Sequence, residues 1–283
     1  MTFLYHWGVR CLRLVSTAGV PRSSSGHLAL FQAFFGMENM EETQMFFTVL
    51  LHFGTLISVF IVYWRDIVEM IREFFLGIAA LVSRREGGTP PPARRMVLMI
   101  IIATLPLFAV LLIKDKVDAL FGNTIFVSCA LIATGFLLFF SDRISQGRKT
   151  AKNATVVDAL IVGCAQAVAT VPGLSRSGTT ISVGMLRGFD RKFAVRFSFL
   201  MSLPAILGAN ILEFKDAVEL GIDAGMMPVY LVGVAVAAVV GYFAIRLVNM
   251  LADKGKFGKF SYYCWAVGLG SLIAGIVKLT LLK

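Results

Sequence analysis

A short run of hydroxyl-bearing, basic and small residues interrupts an apolar segment that begins near Val156 and resumes at Ile181. The run is Val171-Pro172-Gly173-Leu174-Ser175-Arg176-Ser177-Gly178-Thr179-Thr180, with four hydroxyls and one guanidinium. These donors suit phosphate, because a guanidinium can bind two oxygens at once and backbone N–H groups can bind the rest. A guanidinium at membrane depth is also costly unless it has a partner or a ligand. The run therefore predicts a phosphate or diphosphate site inside a membrane protein.

A structural interpretation of the same residues stays open. Arg176 could pair with a carboxylate or with carbonyl oxygens and brace a broken helix. The serine and threonine hydroxyls could cap helices or bond back to the helix backbone. His52, in an apolar segment, is interpreted as a histidine that hydrogen-bonds to a neighbouring helix rather than as a ligand.

The composition is that of an integral membrane protein. Of the 283 residues, 57% are hydrophobic and 16% charged, and the mean hydropathy is +0.79. A soluble domain of this length has no core large enough for so much apolar surface, and several segments reach the roughly 20 residues needed to cross hydrocarbon. The net charge of +10 lies in short loops beside apolar segments, which favours cytoplasmic-side anchoring to anionic lipid. No nucleic-acid partner is expected, and the four cysteines form no metal or disulfide pattern.

The hydropathy pattern predicts an all-α polytopic membrane protein with six transmembrane helices and two re-entrant helical hairpins. The re-entrant hairpins are predicted over residues 23–36 and 156–188, and an amphipathic segment over 67–82. A turn is expected at Lys114–Asp118, and an acidic loop at Glu213, Asp216, Glu219 and Asp223. The predicted transmembrane segments are 46–64, 96–113, 120–140, 193–212, 228–250 and 260–282.

The two halves of this single membrane domain are predicted to form an inverted repeat. Residues 1–140 and 141–283 each contain a re-entrant hairpin followed by three transmembrane segments, and residues 1–22 are atypical. The turns Pro21-Arg22-Ser23-Ser24-Ser25-Gly26 and Pro172-Gly173-Leu174-Ser175-Arg176-Ser177-Gly178 lie 152 residues apart at corresponding places. Such folds place their ligand where broken segments of the two repeats meet.

With these residues identified, the chain resembles the undecaprenyl-diphosphate phosphatase family of the bacitracin-resistance type. The run from Pro172 to Thr180 resembles the PGxSRSGxT motif of that family along its whole length. Ser23-Ser24-Ser25-Gly26-His27 resembles its first hydroxyl-rich turn, and Phe197-Ser198-Phe199-Leu200 with Pro204 is similar to a later segment. The resemblance covers the chain from about residue 20 to the C-terminus.

The resemblance implies a membrane hydrolase that removes the terminal phosphate of undecaprenyl diphosphate. This reaction recycles the lipid carrier for peptidoglycan synthesis and confers bacitracin resistance. The resemblance also implies a divalent cation, Mg²⁺ or Ca²⁺, and a multi-pass location in the bacterial cell membrane with the active site facing the outer side. The expected partners are the polyprenyl diphosphate, the bilayer and a second copy of the chain in a homodimer.

The family motif also implies roles for individual residues. Arg176 would clamp the diphosphate, while Ser175, Ser177 and Thr180 would donate hydrogen bonds or attack, and His27 would act as acid, base or nucleophile. The attacking group stays open among these hydroxyls, His27 and water. The remaining phosphate-binding residues implied by the two turns are Ser24, Ser25, Gly26, Gly173, Gly178 and Thr179.

The N-terminus departs from the family pattern, which has Glu or Gln-x-x-x-Glu before the first turn. Leu14 and Ala18 occupy the two acidic positions, and no Asp or Glu precedes Glu38. A reading-frame slip upstream of Ser23 and true divergence are both open explanations. Two other functions are alternatives to the enzyme: a polyprenyl-phosphate flippase, and a catalytically impaired binder of lipid diphosphates.

Overall fold

The computed structural model describes residues 41–83, 90–144, 147–219 and 227–281. Over these residues the predicted all-α class is confirmed, since they form helices, turns and a single β-bridge between Lys149 and Phe189. The predicted first turn, with Ser24, Ser25, Gly26 and His27, lies outside the described residues, as do residues 1–22. The α-helices of the described part are α1 (Glu41–Val62), α2 (Trp64–Ser83), α3 (Pro92–Leu111), α4 (Lys114–Ala119), α5 (Thr124–Arg143), α6 (Val156–Val168), α7 (Arg176–Leu186), α8 (Arg191–Glu219), α9 (Met227–Asp253) and α10 (Phe260–Leu281).

Length and composition show a multi-pass membrane protein. Among the described residues, five segments are long and apolar enough to cross a membrane, in α3, α5, α8, α9 and α10. The pair α1 and α2 makes a sixth candidate only if Leu50–Val62 and Trp64–Ala80 are counted as one bent crossing. With 13 residues, α6 is shorter than the roughly 20 that a crossing needs. The described residues thus give five or six crossings, and the predicted number equals the larger of these two counts.

The α1 and α2 helices meet at an angle of 86° on either side of Tyr63. α2 is amphipathic, as predicted for residues 67–82, because it carries charged residues beside exposed apolar ones such as Ile71 and Phe75. Its Asp66 accepts a hydrogen bond from Arg196 at 3.0 Å, which ties α2 to the first turns of α8.

Two predicted boundaries are wrong. The turn expected at Lys114–Asp118 is a short helix, α4, followed by a 3₁₀ turn over Leu120–Gly122. The next crossing begins at Thr124 rather than residue 120, because the Asn123 side chain accepts a hydrogen bond from Phe126 N–H at 3.0 Å and caps α5.

The α8 helix also differs from the prediction, because it continues to Glu219 through part of the expected acidic loop. Residues 209–219 contain no Gly or Pro, and their Leu, Glu, Lys and Ala residues favour helix. Glu213 and Asp216 therefore lie on a helix, whereas Asp223 lies outside the described residues. Pro204 stands within α8 without ending it, as membrane helices tolerate when neighbouring groups satisfy the freed backbone.

The central helix is α8. In its apolar stretch 61% of the residues are buried inside the protein, against 28–39% for the other four crossing segments. It packs against α1, α3, α7 and α9, and its Phe199 ring stacks on Tyr63 with centroids 6.0 Å apart. α6 crosses α3 closely because Gly163 has no Cβ where the Ala103 backbone approaches. These contacts hold α6 and α7 inside the bundle.

Candidate active site

The interrupted motif forms the tip of a helical hairpin. α6 ends at Val168 and α7 begins at Arg176, so residues 169–175 make the turn between them. Gly173 has a φ of +96°, a conformation that favours glycine, and a Cβ there would clash with the Val127 carbonyl of α5. Thr134 of α5 accepts a hydrogen bond from Ser175 N–H at 3.3 Å. The tip is therefore fixed against α5.

A buried carboxylate, Asp158, closes the other end of the hairpin from the first turn of α6. Its oxygens accept hydrogen bonds from Lys149 Nζ at 2.8 Å, Thr155 Oγ1 at 2.8 Å and Arg187 Nε at 2.9 Å. Burial favours a higher pKa for Asp158, but these hydrogen bonds outweigh it and lower the pKa to about 2. Because Arg187 directly follows α7, the base of the hairpin is cross-linked by a cluster of one carboxylate and two cations.

Two hydroxyls of the motif are already engaged in positioning α7. The Ser175 Oγ accepts a hydrogen bond from Gly178 N–H at 3.2 Å, which caps the helix, and Ser175 is 1% exposed. The Thr180 Oγ1 lies 2.9 Å from the Arg176 carbonyl and 2.5 Å from Ser198 Oγ of α8. These contacts fix the direction of α7 relative to α5 and α8.

The other polar groups of the motif have no such partners among the described residues. Arg176 is half-buried and makes no ion pair or side-chain hydrogen bond with any of them. The Thr179 hydroxyl is buried and unpartnered, and no side-chain hydrogen bond to another described residue is found for the half-buried Ser177. The N-terminus of an 11-residue helix, with its free N–H groups, lies at the same place. Together these groups can bind an anion.

His52, which the sequence analysis interpreted as structural, lies near the motif. It lies half-buried on α1, and its ring is close enough to Arg176 for an electrostatic interaction. It is the only histidine in the described part of the chain. No local signal distinguishes it, because a lone histidine in an apolar helix is most often structural, and only the packing of α1 and α7 around α8 brings it near the motif.

The structure thus brings together seven of the predicted site residues within one hairpin tip: Gly173, Ser175, Arg176, Ser177, Gly178, Thr179 and Thr180. The other four, Ser24, Ser25, Gly26 and His27, lie outside the described residues. No cluster of three or more His, Cys, Asp or Glu side chains suited to a metal ion is found in the described ranges.

A family model described as bacitracin resistance protein BacA matches residues 17–270. The chain belongs to the BacA family. This family match includes the hairpin tip, the crossing segments in α3, α5, α8 and α9, and α10 up to residue 270. The match begins at residue 17, so Leu14 precedes it and Ala18 falls within it.

Similar BacA-family proteins are named undecaprenyl-diphosphatase. The one from Alkaliphilus metalliredigens is 40% identical over 253 residues, which cover 89% of this chain and 91% of the relative. The Halothermothrix orenii protein is 40% identical over 266 residues, 92% of this chain and 94% of the relative. The Methanosphaera stadtmanae protein is 36% identical over 264 residues, 91% and 93% of the two chains. The similarity therefore extends over nearly the full length of this chain and of each relative.

Proposed function

We propose that this protein hydrolyses undecaprenyl diphosphate to undecaprenyl phosphate and inorganic phosphate, and so recycles the lipid carrier for cell-wall synthesis. The observation that carries the proposal is Arg176, a guanidinium inside a membrane protein that has no carboxylate partner among the described residues. A phosphate ligand would supply the missing counter-charge. Membership of the BacA family and the relatives named undecaprenyl-diphosphatase support the same reaction.

In this reaction the terminal phosphorus is attacked, and its bond to the bridging oxygen breaks to leave the lipid monophosphate. The guanidinium of Arg176 would bind two oxygens of the diphosphate, and the free N–H groups at the start of α7 would bind another. Positioning and charge neutralisation supply most of the catalysis in phosphoryl transfer. The attacking group is one of Ser175, Ser177, Thr180, His27 and water. Since the Ser175 and Thr180 hydroxyls already hold α7 in place, Ser177 is the least constrained of the three candidate hydroxyls.

The site is proposed to lie between two inverted repeats, residues 1–140 and 141–283, and to open to the outer side of the bacterial cell membrane. Basic residues at the base of the α6–α7 hairpin, including Lys149 and Arg187, support a cytoplasmic position for that end. Contacts between equivalent helices support the repeat, since α1 packs on α9 as α8 packs on α3. A homodimer is a further prediction, which cross-linking in native membranes would check.

A divalent cation, Mg²⁺ or Ca²⁺, is part of the prediction from the family resemblance. Such cations take carboxylate and carbonyl oxygens as ligands, and the described residues around Arg176 do not supply a carboxylate. The described part of the chain therefore does not fit a cation site, and no step above depends on one. Phosphate release measured with Mg²⁺, with Ca²⁺ and with a chelator will decide the dependence.

A catalytically impaired binder is the second candidate, because Leu14 and Ala18 stand where the family pattern has acidic residues. The deciding experiment measures phosphate release from a prenyl diphosphate by purified protein, beside the double variant Leu14→Glu/Ala18→Glu. Activity in the original chain supports the enzyme. Activity only in the double variant supports the binder with a damaged N-terminus. If neither hydrolyses while labelled lipid crosses the bilayer of vesicles, the proposal is overturned in favour of a flippase.

A further inference from the structure

Gln166 is a buried amide without a hydrogen-bond partner. Its side chain lies in the last turn of α6 and is 0% exposed, and neither Oε1 nor Nε2 has a partner among the described residues. A buried amide that loses its hydrogen bonds to water without replacing them costs free energy. Such a group in a well-packed protein needs an explanation, and a bound ligand is one.

The ion pair at the base of the hairpin places Gln166 relative to α7. α6 and α7 run antiparallel, and Arg187 Nη2 lies 2.8 Å from Asp158 Oδ1 at their far ends. Gln166 is eight residues beyond Asp158, and Thr179 is eight residues before Arg187. At a rise of about 1.5 Å per residue, both lie about 12 Å from the ion pair along the hairpin. Gln166 and Thr179 are therefore level with each other on adjacent helices.

The same counting places the two side chains on the sides of α6 and α7 that carry the ion pair, within about 80° of it around each helix axis. On α6, Asp158, Val162 and Gln166 are spaced four residues apart, and all three are fully buried. On the α7 side, Thr179 lies two such four-residue steps before Arg187. Thr179 is 6% exposed, and its hydroxyl is also unpartnered. Two buried polar groups without described partners thus lie at one level of the hairpin.

Arg176 lies one turn from Thr179, on the neighbouring part of the α7 surface. This level of the hairpin therefore combines a guanidinium without a described carboxylate, a hydroxyl and a primary amide. An amide offers two N–H donors and an acceptor oxygen. This set is suited to a phosphate, whose oxygens accept from all three side chains and whose hydroxyl, when protonated, can donate to the amide oxygen.

We propose that Gln166 is a phosphate-binding residue of this site, with its Nε2 donating to a phosphate oxygen held by Arg176 and Thr179. The proposal rests on the proposed function and extends the site from α7 to α6. Gln166 stands nine residues before Ser175, whereas Leu14 stands nine residues before Ser23. Of these two corresponding residues, only Gln166 carries a group that can bind phosphate.

Two variants of Gln166 test the proposal. Gln166→Leu keeps a similar volume but removes the donors, and Gln166→Glu keeps the shape but places a carboxylate against the phosphate. Asn210→Leu is the matched control, because Asn210 is another buried amide without a described partner and lies on α8 about 18 Å along the axis from Ser198. The measurements are kcat and KM for phosphate release from a prenyl diphosphate, and the affinity for inorganic phosphate from competition and from thermal shift.

We expect Gln166→Leu to weaken inorganic phosphate binding and to raise KM by about tenfold. Relative to the original chain at the same pH, Gln166→Glu is expected to bind phosphate worse at pH 8 than at pH 5, because its carboxylate becomes neutral on protonation. The comparison at equal pH cancels the titration of phosphate itself, and a residue that does not touch the phosphate would not produce this difference. Asn210→Leu should leave both constants within about twofold of the original. Unchanged phosphate affinity in both Gln166 variants would overturn the proposal, and so would a loss of kcat alone.

The thermal-shift measurement separates this proposal from the proposed hydrolysis. If the original chain binds inorganic phosphate but releases none from the lipid, the enzymatic proposal fails, and weaker phosphate binding by Gln166→Leu still supports the role of Gln166. If Gln166→Leu does not fold, the pH dependence of Gln166→Glu carries the test by itself.

Discussion

Two arginines on the same helical hairpin, Arg187 at its base and Arg176 at its tip, have opposite environments. Arg187 donates to the buried carboxylate of Asp158, which Lys149 and Thr155 also bind. Arg176 is half-buried beside His52 and has no ion pair with a described residue. The comparison separates a guanidinium whose counter-charge is part of the fold from one whose counter-charge must come from elsewhere. The first kind stabilises structure, and the second kind is suited to binding an anion.

The largest effect is expected from exchanging each arginine for alanine. Arg176→Ala should lower phosphate release from a prenyl diphosphate by at least about 100-fold, because the phosphate loses the guanidinium that would bind two of its oxygens. Arg187→Ala should keep the rate within about threefold, because Lys149 still neutralises part of the Asp158 charge. Equal losses of rate in the two variants, at equal amounts of folded protein in the membrane, would remove the distinction between tip and base.

A substitution at the base of the hairpin should change the stability of the protein. Asp158→Asn leaves Lys149 and Arg187 without their carboxylate and should lower the free energy of unfolding by about 3 kcal/mol. Thermal unfolding in detergent, followed by circular dichroism, measures this change. A stability equal to that of the original chain would show that the cluster does not hold the hairpin closed.

The pH dependence of stability sharpens the same point. The pKa of Asp158 is lowered from 3.8 to about 2 by its donors. Its contribution is therefore fully present above pH 3.8 and is lost as the pH falls through about 2. Between pH 5 and pH 2 the original chain should lose more stability than Asp158→Asn, as thermal unfolding over that range would show.

A smaller effect is expected at the tip from Ser175→Ala. The loss of the helix cap on Gly178 N–H should cost about 1 kcal/mol of stability. Ser175→Gly should cost only a few tenths of that, since glycine is tolerated at this position. If both variants also lose phosphate release by more than about 100-fold at normal stability, Ser175 is the attacking group and not only a cap.

The smallest effect is expected far from the hairpin. Ser128 of α5 and Ser271 of α10 have hydroxyl oxygens 2.9 Å apart, and both residues are buried. Ser128→Ala should lower stability by about 0.5 to 1 kcal/mol and leave phosphate release unchanged. A marked loss of rate would mean that the packing of α5 against α10 also determines the geometry of the tip.

Much of this architecture could be predicted from the sequence. Apolar segments near 20 residues long identify the crossing helices, and the break at Pro172-Gly173 identifies the hairpin turn, because both signals are local. The errors at Lys114–Asp118 and at the end of α8 are also local. Capping by Asn123 and the helix propensity of residues 209–219 outweigh the polarity that suggested a turn and a loop.

The sequence by itself determined that the chain is a helical membrane protein and that Arg176, with its neighbouring hydroxyls, interrupts an apolar segment. These are properties of composition, period and adjacent residues. Only the tertiary structure decided which charges are satisfied: Asp158 receives Arg187 from 29 residues away, whereas Arg176 has no ion pair with a described residue and lies near His52 of another helix. It also decided that the buried Gln166 amide and the buried Thr179 hydroxyl have no hydrogen-bond partners among the described residues. The physical reason is that the cost of a buried polar group depends on what packs against it, and those neighbours are distant in the chain.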